Sequence, residues 1–208
     1  YKLLVENFSQ TFFVGGMVRD LFLGNKIVDI DIATEAKPEQ VILVLRDVSF
    51  LTDVSAKKFG AITVTKGKYK VQITTFRKDS YQQSRYPKVA FTKSLNVDSK
   101  RRDYTINSLY FQPILNLVID PFSGIKDIKL KLLRAVGDAS AKLKEDPLRI
   151  VRAYRFAMQF DLKFDSKLAS AIDKNIWLVK KLSKPKLMSE INKASSQKIK
   201  NFLIKKFV

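Results

Sequence analysis

The chain has 208 residues, 46% of them hydrophobic, with a net charge of +19 and neither cysteine nor histidine. Its length holds one large domain or two small ones, and its apolar content is that of a soluble globular protein. Without thiols or imidazoles, disulfides, zinc-type metal sites and serine–histidine catalysis are excluded, so any metal is a hard cation held by oxygen, with Mg²⁺ favoured.

No apolar run approaches the roughly 18 residues of a membrane span. The N-terminus lacks the basic start and apolar stretch of a signal peptide. A cytoplasmic protein without a membrane partner is expected. The first residue is Tyr1 rather than Met, which points to a trimmed sequence. Charge is uneven: residues 1–60 carry 7 basic and 8 acidic side chains, and residues 121–208 carry 21 and 8. Such asymmetry suggests a polyanion gripped by the C-terminal part. The plain alternatives are a lysine-rich genome bias or a membrane surface.

In chain order, residues 1–10 read as a short helix and Thr11 to Val14 as a strand. Gly16 to Leu23 read as a helix closed by Gly24 and Asn25. Val28 to Ala33 alternate as a strand, and Pro38 to Arg46 have helical periodicity. Ala61 to Thr65 and Lys70 to Thr75 form a hairpin through Lys66-Gly67-Lys68. Arg77 to about Asn96 is a long polar loop or lid. Leu109 to Phe111 and Leu117 to Ile119 are further strands. Beyond Asp138 only helices are expected: Ala139 to Lys144, Pro147 to Phe160, Ser166 to Asp173 and Lys184 to Lys206. The pattern predicts a mixed α/β domain over residues 1–137 followed by an all-α domain over 138–208.

Four constellations carry chemistry. Gly15-Gly16 before a helix lets the backbone approach a phosphate, with Arg19 one turn on; an ordinary strand-to-helix turn is the alternative. Asp29 and Asp31 lie two apart on a strand, so both carboxylates project to one face. Such a pair can hold divalent ions for phosphoryl chemistry, whereas an edge strand carries acids merely for solubility. In Arg101-Arg102-Asp103-Tyr104-Thr105-Ile106-Asn107, arginine forks suit phosphates, and Asp103 and Asn107 sit four apart as on a helix that meets a ribose. Finally, Asp146 before Pro147 caps a helix carrying Arg149, Arg152 and Arg155 on one side. Cytosine and adenine share an amine donor beside a ring-nitrogen acceptor. Asp146 accepting and Arg149 donating would select those two bases.

These pieces, in this order, resemble the class II nucleotidyltransferases: the bacterial CCA-adding enzymes and the bacterial poly(A) polymerases. The resemblance runs from about Phe12 to Phe156 and rests on VGGMVRD, DIDIAT, ITTFR, RRDYTIN, DPFSGIKDIK and EDPLRIVRAYRF. It implies a polymerase-β-like head and a helical neck, Mg²⁺, CTP and ATP, and a tRNA 3′ end as acceptor. Residue by residue, it implies that Asp29 and Asp31 are metal-binding catalytic carboxylates. Gly15, Gly16 and Arg19 would bind triphosphate, and Arg102, Asp103 and Asn107 the nucleotide. Asp146 and Arg149 would read the base, assisted by Arg152 and Arg155. Residues 77–100 match the family's flexible loop.

Three departures stand out. Gln72 occupies the usual place of a third carboxylate, so weaker metal binding is expected. The neck segment keeps Glu190 but has Pro185-Lys186 where Glu-Arg is common. The body and tail of longer members are not in this chain. The expected function is CCA addition; the alternatives are a poly(A) polymerase and a non-catalytic RNA-binding remnant.

Overall fold

The computed structural model describes residues 1–27, 29–48, 50–81 and 87–208. Helix α1 (Lys2–Asn7) leads into strand β1 (Thr11–Val14), helix α2 (Gly16–Phe22), β2 (Ile30–Thr34), α3 (Pro38–Leu45), β3 (Leu51–Asp53), β4 (Ala61–Lys66) and β5 (Tyr69–Thr75). Strands β6 (Arg77–Ser80) and β7 (Lys88–Phe91), helix α4 (Leu95–Lys100), β8 (Tyr110–Gln112), β9 (Leu117–Ile119), α5 (Gly124–Lys129) and β10 (Leu132–Leu133) follow. The chain continues through α6 (Ala139–Glu145), α7 (Leu148–Gln159), β11 (Lys163–Phe164), α8 (Ser166–Asn175), α9 (Lys184–Ile191) and α10 (Gln197–Phe207).

Seven strands form one mixed sheet in the order β3-β4-β5-β2-β1-β8-β9. Only β2 and β5 run parallel; the other neighbours are antiparallel. Because successive strand residues point to opposite faces, β2 serves two cores. Ile32 packs with Leu4, Val41, Ile62 and Ile73 beneath α1 and α3. Ala33 packs on the other face with Phe12, Val14, Phe76 and Tyr110, and Asp31 shares that face by alternation.

The largest apolar cluster runs from Val18, Tyr104 and Leu109 through Ile150 and Phe156 to Ile191 and Leu203. It therefore bridges the sheet-bearing and helical parts of the chain. Strand β11 adds a second link by pairing in parallel with β10. No helix among the described residues is long and apolar enough to cross a membrane.

Local chemistry sets the helix ends. Helix α2 closes with Gly24 at φ +69°, a left-handed position that glycine adopts without a Cβ penalty. The Gly24 and Asn25 amides then donate to the Leu21 and Asp20 carbonyls, the double closure of a Schellman turn. Side-chain caps open later helices: Asp138 accepts from the Ala141 amide, Asp165 from Leu168 and Ser196 from Ile199.

Six expectations need correction. Beyond Asp138 the chain is not purely helical, because Lys163–Phe164 extends as β11 to pair with β10. The carboxylate strand spans Ile30–Thr34, so Asp29 precedes it; Val28 lies outside the described residues. The hairpin turn is tighter than expected, since Lys66 already pairs with Tyr69. The stretch Arg77 to Asn96 is no plain loop: β6 and β7 pair antiparallel as a ribbon, and Ser94 caps α4. Residues 82–86 of that expected lid lie outside the described residues. Asp103 precedes a short 3₁₀ turn, Thr105–Asn107, whose last residue is Asn107, rather than sharing an α-helix with it. The segment Lys184 to Lys206 is two helices, because Ser196 caps a new one after Ile191.

Candidate active site

Every site residue named from the sequence lines one cleft of about 1170 Å³. The Gly15 turn forms its floor. Gly15 has φ +74°, and its amide donates to the Leu109 carbonyl at 3.2 Å. A Cβ built there would stand 3.5 Å from Arg102 Nη1 and 4.0 Å from Asp31 Oδ2. These are ordinary contact distances, so it is the left-handed φ, not lack of space, that favours glycine here.

Asp29 is exposed and Asp31 half-buried. Burial raises the Asp31 pKa; Arg102 opposes that rise and the Asp29 charge adds to it. Gln72 lies beside Asp31 in parallel register. Among the described residues, no group of three acidic side chains suited to a metal ion is present. The Asp29 and Asp31 carboxylates and the Gln72 amide oxygen are donors of the type a hard divalent cation takes.

Arg19 is 6% exposed, not a free surface cation. Its guanidinium grips Asp20 through contacts of 2.9–3.0 Å and donates to Asn107 Oδ1 at 2.7 Å. It also stacks over the Phe160 ring of the helical part at 4.2 Å. Burial lowers its pKa, and Asp20 counters that.

From Asn107 the polar chain continues to Asp103 (3.2 Å), whose other oxygen accepts from Arg152 Nε at 2.8 Å and Nη2 at 2.5 Å. Burial opposes the Asp103 charge, yet Arg152, Asn107 and the Tyr104 amide hold its pKa at about 2. Arg152 then approaches Glu190 at 3.8 Å, and Arg155 pairs with Glu190 at 2.7 Å. Glu190 is 1% exposed and also meets Lys193. Hydrogen bonds and ion pairs therefore link the glycine turn to α7 and α9.

At the head of α7, Asp146 has extended backbone and Oδ1 accepts from the Leu148 amide at 3.2 Å. The helix begins at Leu148 with Pro147 at its N-cap, one residue later than expected, although the Pro147 backbone is already helical and the Asp146 carboxylate still takes the Leu148 amide. Arg149 Nη1 donates to Glu145 at 2.6 Å and to the Lys142 carbonyl at 2.8 Å, while Nη2 reaches the Arg101 carbonyl at 3.3 Å. Tyr81, at the end of the ribbon, lies 5.9 Å from this guanidinium.

Sequence reasoning missed several cleft residues. Tyr81, Arg77 and Asp79 were hidden inside a stretch read as a loop, because Arg77-Lys78-Asp79-Ser80 is polar throughout and carries no apolar alternation. Asp98 does not line the cleft, but it precedes Arg102 by four residues, the spacing of a helical ion pair, and the two do meet at 3.1 Å.

The mixed sheet and the cleft above it define the class of fold. Residues 11–134 match the model of the poly A polymerase head domain, and the chain belongs to that family. The CCA-adding enzyme of Lactobacillus helveticus (strain DPC 4571) is 39% identical over 186 residues, covering 88% of this chain and 45% of the relative. The crystal structure of the Bacillus stearothermophilus CCA-adding enzyme in complex with CTP superposes with a TM-score of 0.80 at 34% identity, over 91% of this chain and 45% of that one. A tRNA nucleotidyltransferase complexed with a primer tRNA and an incoming ATP analog has a TM-score of 0.76 at 28% identity, over 94% and 56% of the two chains. The chain spans about half the length of the curated relatives it matches.

Proposed function

We propose that this chain carries the catalytic end of a template-independent RNA nucleotidyltransferase that adds C and A to a tRNA 3′ end from CTP and ATP. The observation that carries the reading is the sharing of one cleft by Asp29, Asp31, Asp146 and Arg149. A carboxylate pair for transfer and a donor–acceptor pair for a base thus stand across a single nucleotide site. Residues 138–208 are read as the neck domain behind the head, and the cytoplasm as the place of work.

Asp29 and Asp31, with the Gln72 amide beside them, are the residues we assign to Mg²⁺. When bound, this ion would lower the pKa of the attacking 3′ hydroxyl and stabilise charge on the departing pyrophosphate. The Gly15-Gly16 turn brings backbone to the triphosphate, and Arg102 supplies a fixed cation beside Asp31. Arg19 acts by fastening the turn to Asn107. Asp103 and Asn107, bonded to each other, form the ribose-facing wall. Asp146 accepts from the exocyclic amine of C or A, and Arg149 donates to the ring nitrogen. Arg152 and Arg155 hold the helix through Asp103 and Glu190.

Labelled CTP and ATP, offered singly and together to tRNA lacking CCA, test the proposal. C addition from CTP alone and completion to A with both nucleotides are expected. Processive ATP-only addition to generic RNA would instead identify a poly(A) polymerase. Salt-dependent RNA binding with no incorporation would identify a non-catalytic remnant.

A further inference from the structure

We infer that Asp98 is a positioning residue that holds the Arg102 guanidinium beside Gly15 and Asp31. This rests on the reading above that Arg102 meets the nucleotide.

Asp98 is 0% exposed. A buried carboxylate persists only when its acceptor sites are filled, and here four donors fill them. Oδ1 accepts from Arg101 Nε at 2.8 Å and from the Arg77 amide at 3.2 Å. Oδ2 accepts from Arg102 Nη2 at 3.1 Å and from the Tyr110 hydroxyl at 2.8 Å. That hydroxyl accepts in turn from Arg102 Nε at 2.9 Å. Arg102 is therefore gripped along its Nε–Nη2 edge, while Nη1 points to the Gly15 turn.

Tyr110 stands in register with Val14, immediately before Gly15. The anchor of the arginine and the turn it faces thus share one piece of sheet. A long, rotatable side chain is fixed before any nucleotide arrives, which is how prior orientation aids transfer. The Arg77 contact ties the first residue of the β6–β7 ribbon to the same carboxylate, so a purely architectural role for Asp98 must be separated from its action through Arg102.

A double-mutant cycle makes that separation. Asp98→Asn, Arg102→Ala and their combination are compared with the unaltered 208-residue chain. Calorimetric Kd for CTP and ATP, incorporation rates and melting temperature are measured for each. Asp98→Asn alone should weaken nucleotide binding or transfer by about 10- to 100-fold, the usual cost of losing an orienting partner. In the Arg102→Ala background it should cost little more. Losses that multiply would overturn the inference, because Asp98 would then act independently of Arg102.

Should Asp98→Asn fail to fold, Tyr110→Phe carries the same cycle, with a several-fold loss that vanishes when Arg102 is already Ala. If the unaltered chain binds nucleotide but adds none, the proposed activity fails while the Kd cycle still decides the role of Asp98. If it binds no nucleotide, both readings fall.

Discussion

At one end of the cleft Asp29 and Asp31 stand without a close ion pair among the described residues; burial raises the Asp31 pKa, Arg102 opposes that rise, and the Asp29 charge adds to it. At the other end three arginines of α7 are each tied to a carboxylate: Arg149 to Glu145, Arg152 to Asp103 and Arg155 to Glu190. The first region holds a partly desolvated carboxylate whose charge a bound cation would stabilise. The second is satisfied within the protein. Substitutions at the first should therefore change chemistry with little effect on folding, and substitutions in the second should change folding first.

The largest effect tests the carboxylate end. Asp29→Ala with Asp31→Ala should cut incorporation by about 10³-fold or more, since electrostatic stabilisation of the transition state is commonly worth that much. Melting temperature should hold or rise, because two repelling charges are gone. Appreciable residual activity would falsify the assigned site, and a large fall in melting temperature would break the contrast.

Glu190→Gln tests the opposite end. It leaves Arg152 and Arg155 short of a buried counter-charge and should destabilise the fold by about 3 kcal/mol in urea titration. A negligible change would mean that the arginines find other partners.

Acid sharpens the same point through Asp103. Its pKa falls from 3.8 to about 2 on folding. Its contribution, roughly 2 kcal/mol, is complete above the unfolded pKa and is lost as pH falls through the folded one. Urea midpoints measured between about pH 5 and pH 2 should show this decline, and Asp103→Asn should flatten it. An unchanged slope in the variant counts against the Arg152 pair as its source.

The smallest effect concerns Gln72, the register partner of Asp31. If activity follows the proposed route, Gln72→Glu should lower the Mg²⁺ concentration for half-maximal incorporation several-fold. An unchanged requirement would remove Gln72 from the metal-facing group.

Much of the fold was legible because it is written in short-range pattern. Strand β1 spans the predicted Thr11 to Val14, and the β4–β5 hairpin differs from expectation only by Lys66 and Tyr69, one residue on each side of its turn. Failures came where a local signal was hidden among polar residues. The β6–β7 ribbon carries exposed lysines and little apolar alternation. The break before Ser196 was masked by helical periodicity on both sides.

The sequence by itself determined the order of the motifs, the glycine turn, the carboxylate spacing and the capped arginine helix, because neighbouring residues define each of these. Only the tertiary structure decided which charges are satisfied. Arg19 reaches Asn107 across 88 positions, and Arg155 reaches Glu190 across 35. Asp98 becomes an anchor only because Tyr110, Arg77 and two arginines converge on it. Burial and partner choice arise when distant segments pack together, so the same carboxylate is a solvated charge in the chain and a fixed counter-ion in the fold.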